Sequence, residues 1–211
     1  MRGLVIALPK GRLFPRSLRW LESAGFHFPE AHGESRRLMF DEANSAARMI
    51  LVKPVDVVTY VEHGAADLGI VGEDVARESG ADVLQPLTLP FGQCRIVVAG
   101  TPEQKRADLR LLTNLRVATK YPRLTREHFS RRGLSAEIIG LSGSIELGPA
   151  VGLADLLVDV VDTGRTLREN GLVEIETILR SSACVIVNRA SQVIKAEPIS
   201  QLIEKMGEQQ T

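Results

Sequence analysis

Leu156-Leu157-Val158-Asp159-Val160-Val161-Asp162-Thr163-Gly164-Arg165-Thr166-Leu167-Arg168-Glu169-Asn170 is the stretch from which the fold can be read. Its first six residues are mostly β-branched or aliphatic and too few for a buried helix, so they read as a buried strand. Asp159 interrupts that strand and Asp162 ends it. A short loop of small and hydroxylic residues follows, Thr163 to Thr166, and then residues able to form a helical turn. A strand delivering such a loop to a helix start makes an anion site, because unpaired backbone N–H groups and the helix dipole both favour negative charge. Thr163 and Thr166 add hydroxyl donors, and a carboxylate beside the loop suits sugar hydroxyls. The stretch therefore reads as a sugar-phosphate site. The same Asp-Thr-Gly is also an ordinary turn and N-cap sequence, so the rest of the chain has to decide.

Outward from this stretch, apolar runs and helical spacings alternate. Leu4 to Leu8 is a strand, Pro9 to Arg12 a basic loop, and Leu13 to Ala24 a helix ended by Gly25. Ser35 to Phe40 reads as a strand in a hairpin with Met49 to Val52, with alternation turning Arg36 and Arg37 to opposite faces. Pro54 opens a helix to His63, Leu68 to Val71 is a strand, and Glu73 and Asp74 begin a short helix to Ser79. Strands follow at Val83 to Leu89, Cys94 to Ala99, Arg116 to Thr119, Ala136 to Leu141, Leu172 to Leu179 and Ala183 to Val187. Helices are predicted from Pro102, over Arg123 to Arg132 (basic and surface-facing), and over Ile199 to Met206, with Gly207 to Thr211 fraying. The alternation predicts parallel α/β sheets. So many short strands in 211 residues predict two lobes, 1–92 plus 181–211 and 93–180, with a central cleft at the strand carboxyl ends.

Composition excludes several classes. A net charge of zero gives no long-range attraction for nucleic acid, and 4% aromatic residues leave little for base stacking. No apolar run reaches membrane-spanning length and the N-terminus has no signal-peptide pattern, so a cytoplasmic protein is expected. Cys94 and Cys184 are far apart in apolar runs and read as buried thiols, and the four histidines have no ligand spacing. No P-loop, Gly-x-Gly-x-x-Gly or nucleophile elbow is present. What remains is a set of polar loops at strand ends: Lys10, Gly11 and Arg12; Gly72; Lys120; Gly143, Ser144 and Glu146; and Asp162 to Thr166.

With those loops in place the sequence resembles the short form of the ATP phosphoribosyltransferase family. The likeness is carried by Ala7 to Leu13 (ALPKGRL), Tyr60 to Gly72 (YVEHGAADLGIVG), Arg116 to Tyr121 (RVATKY), and the block from Gly143 through Asp155 into Asp159 to Leu167. It spans nearly the whole chain, and the last block is specific to the family. The resemblance implies an α/β fold like a two-lobed type II periplasmic binding protein. It implies a histidine-biosynthesis reaction, ATP plus phosphoribosyl pyrophosphate giving phosphoribosyl-ATP and pyrophosphate, with Mg2+ carried on the substrates.

It also assigns residues. Asp159, Asp162, Thr163, Gly164, Arg165 and Thr166 match the phosphoribosyl pyrophosphate loop, with the ribose role open between the two aspartates. Arg12 and Arg36 match arginines near the leaving pyrophosphate and the ATP. Lys10, Gly11, Gly72, Gly143, Ser144 and Glu146 are the accompanying ATP and pyrophosphate candidates. The resemblance to the short form implies a chain without the C-terminal regulatory domain of long-form relatives. The implied assembly is a homodimer of this chain in a hetero-oligomer with a regulatory subunit similar to histidyl-tRNA synthetase. Two other classes fit the residues: a non-catalytic cytoplasmic ligand-binding protein of the same fold, and a phosphoribosyltransferase with another acceptor.

Overall fold

The computed structural model describes residues 3–32, 36–44, 47–109 and 114–209. In chain order the strands are β1 (Leu4–Pro9), β2 (Met39–Asp41), β3 (Ala47–Val52), β4 (Leu68–Gly72), β5 (Leu84–Thr88), β6 (Cys94–Gly100), β7 (Leu115–Thr119), β8 (Ala136–Gly140), β9 (Leu156–Val161), β10 (Val173–Ser181) and β11 (Ala183–Val187). The helices are α1 (Phe14–Ser23), α2 (Pro54–Glu62), α3 (Glu73–Ser79), α4 (Pro102–Arg106), α5 (Pro122–Arg131), α6 (Leu147–Ala150), α7 (Arg165–Glu169), α8 (Arg189–Ile194) and α9 (Ala196–Glu208). They form two compact units, Met1–Gly92 with Ser182–Thr211, and Gln93–Ser181.

The first unit is built on a six-stranded sheet of order β2-β3-β1-β4-β11-β5. Its middle strands are apolar on both faces, as strands covered on both sides must be. One face packs Ile6, Leu8, Met49, Leu68 and Ile70 against α1 and α9, and the other packs Ala7, Val71, Cys184 and Ile186 against α2. Gly69 lets α2 approach, since a Cβ there would sit 2.8 Å from Val57 Cγ1. Burial, with Glu73 and Asp74 adding to it, pushes the Cys184 thiol up to about 12.

The second unit has a five-stranded sheet of order β10-β6-β9-β7-β8. One face carries Ile96, Val98, Val117, Leu156 and Val158 under α5, and the other carries Val97, Ala99, Ala118, Leu157 and Val161 with Ile145 and Leu167. Along α5, Leu124, Thr125 and Phe129 are buried while Arg123, Glu127 and Arg131 pair along the outer face.

The sheets are mixed, which corrects the parallel expectation. β1, β3 and β4 are parallel, as are β7, β8 and β9. However, β11 runs antiparallel to β4 and β5, and β6 runs antiparallel to β9 and β10. The cause is where the chain enters each sheet. β11 starts beside the carboxyl end of β4 (Ala183 opposite Gly72), and β6 starts beside the carboxyl end of β9 (Arg95 opposite Val161), so each must run backwards.

Three local expectations also change. The first hairpin strand is only Met39–Asp41; Arg36 and Arg37 lie before it, both exposed, with Arg37 paired to Glu30, and Ser35 lies outside the described residues. Strand alternation therefore says nothing about either arginine. α8 was not anticipated, although Asn188 caps it by accepting a 2.9 Å hydrogen bond from Ser191 N. Finally, Gly207 and Glu208 continue α9 rather than fray, while Gln210 and Thr211 lie outside the described residues.

The C-terminal helices are tied to the start of the chain by one buried carboxylate. Asp67 accepts from Val5 N (2.8 Å), Ser191 Oγ (2.7 Å) and Lys195 Nζ (2.7 Å) and is 5% exposed. Removing it strands three donors in a poorly solvated place. We expect Asp67→Ala to cost about 2–4 kcal/mol in denaturant unfolding, and Asp67→Asn distinctly less; equal costs for the two would contradict this account.

Candidate active site

In the second unit β7 and β8 end level with one another, and β9 runs three residues further. Thr119 is opposite Gly140 on β8 and Val158 on β9. The residues beyond that level, Lys120, the Leu141–Glu146 loop and Asp159 to Thr166, therefore share one edge of the sheet. A buried hydroxyl holds the alignment. Thr119 Oγ1 donates to Val158 O (2.8 Å) and accepts from Tyr121 N (2.8 Å), and Thr125 Oγ1 lies 3.1 Å from it while donating to Tyr121 O (2.6 Å).

β9 runs through Val161, so the alternation of side chains applies to Asp159. It shares the face of Leu157 and Val161, which is the face of Ile145 and Leu167. Its Oδ1 accepts from Val160 N at 2.7 Å. Burial holds its carboxyl above the usual carboxylate range and the charge of Glu146 adds to this; the Val160 N–H and the charge of Lys120 oppose it. Asp162, by contrast, is exposed in the loop.

The loop then turns on Gly164, whose φ of +72° favours glycine and where an added Cβ would meet Arg168 Nη1 at 3.1 Å and Glu174 Oε1 at 3.2 Å. Arg168 Nη1 donates to Thr163 O (3.0 Å), and Glu174 is paired with Arg95 at 2.9 Å. This hydrogen bond and this ion pair brace the turn from beneath, leaving Thr163 and Thr166 exposed. The first N–H groups of α7 have no partner within the helix, as at any helix start. Arg165 lies along the outside of α7, its Nε 2.7 Å from Glu169 Oε1.

The loop after β8 holds a second irregular backbone. Ser144 has φ +51°, sparsely populated for a residue other than glycine. Gly143 is open, with nothing within 4 Å of where a Cβ would stand. Ile145 is buried and anchors the loop, which leaves Glu146 half-buried on the Asp159 side. Strained backbone of this kind clusters at ligand-binding positions.

In the first unit, the carboxyl edge of the sheet gathers another group. Lys10 N donates to Val52 O at 2.8 Å, placing Lys10 at the end of β3, and Gly11 turns with φ +87° to lead into Arg12. Leu51 N donates to Leu38 O (2.8 Å), so the chain carrying Arg36 runs up past the same end of β3. Gly72 ends β4 and precedes α3, three residues beyond Gly69, which pairs with Ala7 three residues before Lys10. Lys10, Gly11, Arg12, Arg36 and Gly72 thus share one sheet edge. In the second unit the sequence marks Lys120 as a polar residue after a strand end, while Thr119 reads simply as a strand residue. Only strand register shows what they face.

Two α/β units each presenting polar loops at the carboxyl edge of a sheet define a two-domain ligand-binding fold. Among solved structures, the alkanesulfonate-binding protein SsuA from Xanthomonas axonopodis pv. citri has this fold, with a TM-score of 0.58 at 15% identity over 99% of this chain and 73% of that one. Sequence narrows the class. The family model described as HisG, ATP phosphoribosyltransferase, matches residues 53–208. The ATP phosphoribosyltransferase of Caldanaerobacter subterraneus subsp. tengcongensis is 49% identical over 96% of this chain and 95% of its own. The solved ATP phosphoribosyl transferase (HisG:HisZ) complex from Thermotoga maritima matches with a TM-score of 0.83 at 36% identity, covering 97% of each chain. The chain belongs to the ATP phosphoribosyltransferase family, a family of transferases.

The direction of the Asp159 shift sets a stability test. A carboxyl raised in the folded state contributes stability below its unfolded value of about 3.9. That contribution is lost as pH rises through the folded value. Asp159→Asn should therefore melt at the same or a higher temperature than the parent at pH 7, with the difference shrinking towards pH 3.5. A variant that melts lower at pH 7 and recovers in acid would contradict the assignment.

Proposed function

We propose that this chain transfers the phosphoribosyl group of phosphoribosyl pyrophosphate to ring nitrogen 1 of the adenine of ATP, giving phosphoribosyl-ATP and pyrophosphate in the first step of histidine biosynthesis. The observation that carries the reading is the family-specific loop Asp159 to Thr166, set level with the Gly143–Glu146 loop at one sheet edge. In this reading residues 93–180 hold the sugar phosphate. Asp162, with Asp159 beside it, takes the ribose hydroxyls. The N–H groups and hydroxyls of Thr163, Gly164 and Thr166 take the 5-phosphate. Arg165 adds positive charge at the loop's outer side. Residues 1–92 with 181–211 supply Lys10, Gly11, Arg12, Arg36 and Gly72 to the ATP and the departing pyrophosphate, and Gly143, Ser144 and Glu146 complete that set.

The chemistry asks little of acid–base groups. Adenine nitrogen 1 carries its lone pair at neutral pH and attacks the anomeric carbon without a general base. The new N–C bond forms on the face opposite the breaking C–O bond, so the anomeric centre inverts, and the bonding electrons leave on pyrophosphate. The protein orients two anions and neutralises charge that grows on the leaving group. Arg12 and Arg36 do the latter through planar, permanently charged donors.

Among the described residues no group of three or more His, Cys, Asp or Glu side chains could hold a metal ion. Mg2+ belongs to the substrates in this reading, bound by their phosphate oxygens, as is usual for that ion. No helix among the described residues is long and apolar enough to cross a membrane, and a cytoplasmic location goes with the proposed pathway. The Thermotoga structure is of a HisG:HisZ complex, which supports a HisZ-like partner subunit here; that this partner is similar to histidyl-tRNA synthetase, and that this chain forms a homodimer within the assembly, follow from the resemblance.

Transfer of isotope from labelled ATP into phosphoribosyl-ATP, with and without that subunit, tests the reaction; adenine used in preference to ATP would point to the alternative acceptor. Two variants test the residues. Thr166→Ala or Asp162→Ala should raise KM for phosphoribosyl pyrophosphate at least tenfold and leave KM for ATP within about threefold, as expected for loss of one charge-assisted contact. Equal losses for both substrates would count against the loop. Arg12→Ala should lower kcat at saturating substrates about 10²–10³-fold, the usual cost of a donor to developing negative charge. Unchanged turnover would remove Arg12 from the leaving group.

A further inference from the structure

The loop residues assigned above leave one charged group at the same edge with no role. Lys120 directly follows β7, the strand that lies between β8 and β9. Since Thr119 is level with Val158, Lys120 is level with Asp159. Its backbone is held on both sides. Thr119 before it is fully buried and bonded to the β9 backbone at Val158, and Tyr121 after it is bonded through both N–H and C=O to the Thr119 and Thr125 hydroxyls. An exposed lysine on so firmly fixed a backbone has only its own side chain left to move.

We propose that Lys120, fixed in place by the buried Thr119–Thr125 hydroxyl pair, is a positioning residue of the sugar-phosphate site that holds the Asp159 carboxylate ionised and turned to accept from sugar hydroxyls. The inference rests on the reading of Asp159 to Thr166 as the phosphoribosyl pyrophosphate loop. The other charges around Asp159 leave this task to Lys120. Glu146, from the loop before α6, opposes ionisation of Asp159. On α7, Arg165 is paired with Glu169 and Arg168 donates to Thr163 O. On β6, Arg95 is paired with Glu174 of β10, and the cross-strand neighbour of Asp159 is the apolar Val97. Asp162, from the loop after β9, is of the same sign as Asp159. Lys120 is the cation whose charge favours the Asp159 carboxylate. A carboxylate beside a second carboxylate in a half-buried position would otherwise hold its proton to higher pH. A protonated Asp159 would offer one acceptor fewer to a sugar diol.

The test uses the full chain and two readouts. Without ligand, melting temperatures of the parent and Asp159→Asn across pH 4–8 report where Asp159 ionises; the same comparison in a Lys120→Met background reports it without the lysine. The expected result is an upward displacement of that midpoint by about half a pH unit or more, with Lys120→Arg restoring it. With phosphoribosyl pyrophosphate, the acid limb of binding should move up by a similar amount in Lys120→Met and not in Lys120→Arg, while KM for ATP stays within about twofold. Thr125→Val should produce part of the same displacement, and if it does not fold the Lys120 pair still decides. An unchanged midpoint without ligand overturns the coupling. A displaced midpoint with an unchanged binding limb overturns the positioning role. If the parent neither binds phosphoribosyl pyrophosphate nor transfers its sugar, the proposed function fails, and the ligand-free midpoint still decides the coupling on its own.

Discussion

The hydrogen bond from the Thr119 hydroxyl to the Val158 carbonyl, 2.8 Å long and fully buried, is the constraint on which the proposed sugar-phosphate edge depends. It bridges two parallel strands at the point where β7 stops and β9 has three residues left to run. Parallel strands keep a common level only if their register is fixed, and register here is fixed by this bond together with the apolar faces on either side of the sheet. Once β7, β8 and β9 hold that register, three loops of unrelated sequence meet at one edge. Everything proposed for the second unit, including the glycine turn at Gly164 and the strained Ser144, presupposes that meeting.

Beneath the loop the supports are polar, whereas the sheet itself is apolar. Arg168 holds the Thr163 carbonyl and Arg95 pairs with Glu174 close under Gly164. Such pairs at half-exposed positions add little to global stability. Their use is geometric: they fill the space that a side chain at residue 164 would need and so keep the turn tight. Asp159 shows the opposite balance. Burial and Glu146 make its charged form costly, and a residue that opposes the fold's own preference in this way is characteristic of binding sites.

Much of this was legible in the sequence, for identifiable reasons. β9 was bounded correctly because six residues of β-branched and aliphatic character lie between an alanine-aspartate turn and Asp162. α2 began where Pro54 said it should, and Gly25 marked the end of α1. Strand direction was not legible. Local sequence does not record that β6 and β11 begin where the chain passes from one unit to the other, which is what reverses them. The candidate loop residues were legible as polar and glycine positions after strands, but Arg36 was misassigned to a strand because its neighbours Leu38 to Phe40 are apolar. Lys120 was legible as a polar residue after a strand, but what it and Thr119 face was not, because that is a matter of register, a relation between residues 39 positions apart. The same holds for Asp159, whose face became readable only once β9 was seen to continue to Val161.

The account's central claim is that the loop from Asp162 to Thr166 grips the sugar phosphate. Amide hydrogen exchange of the full chain with and without phosphoribosyl pyrophosphate measures this residue by residue. The claim predicts that protection on adding the ligand is strongest at the amides of Thr163 to Leu167, with a smaller effect around Gly143 to Glu146. Protection confined to Lys10 to Arg12 and Gly72, with Thr163 to Leu167 exchanging as in the free protein, would contradict it.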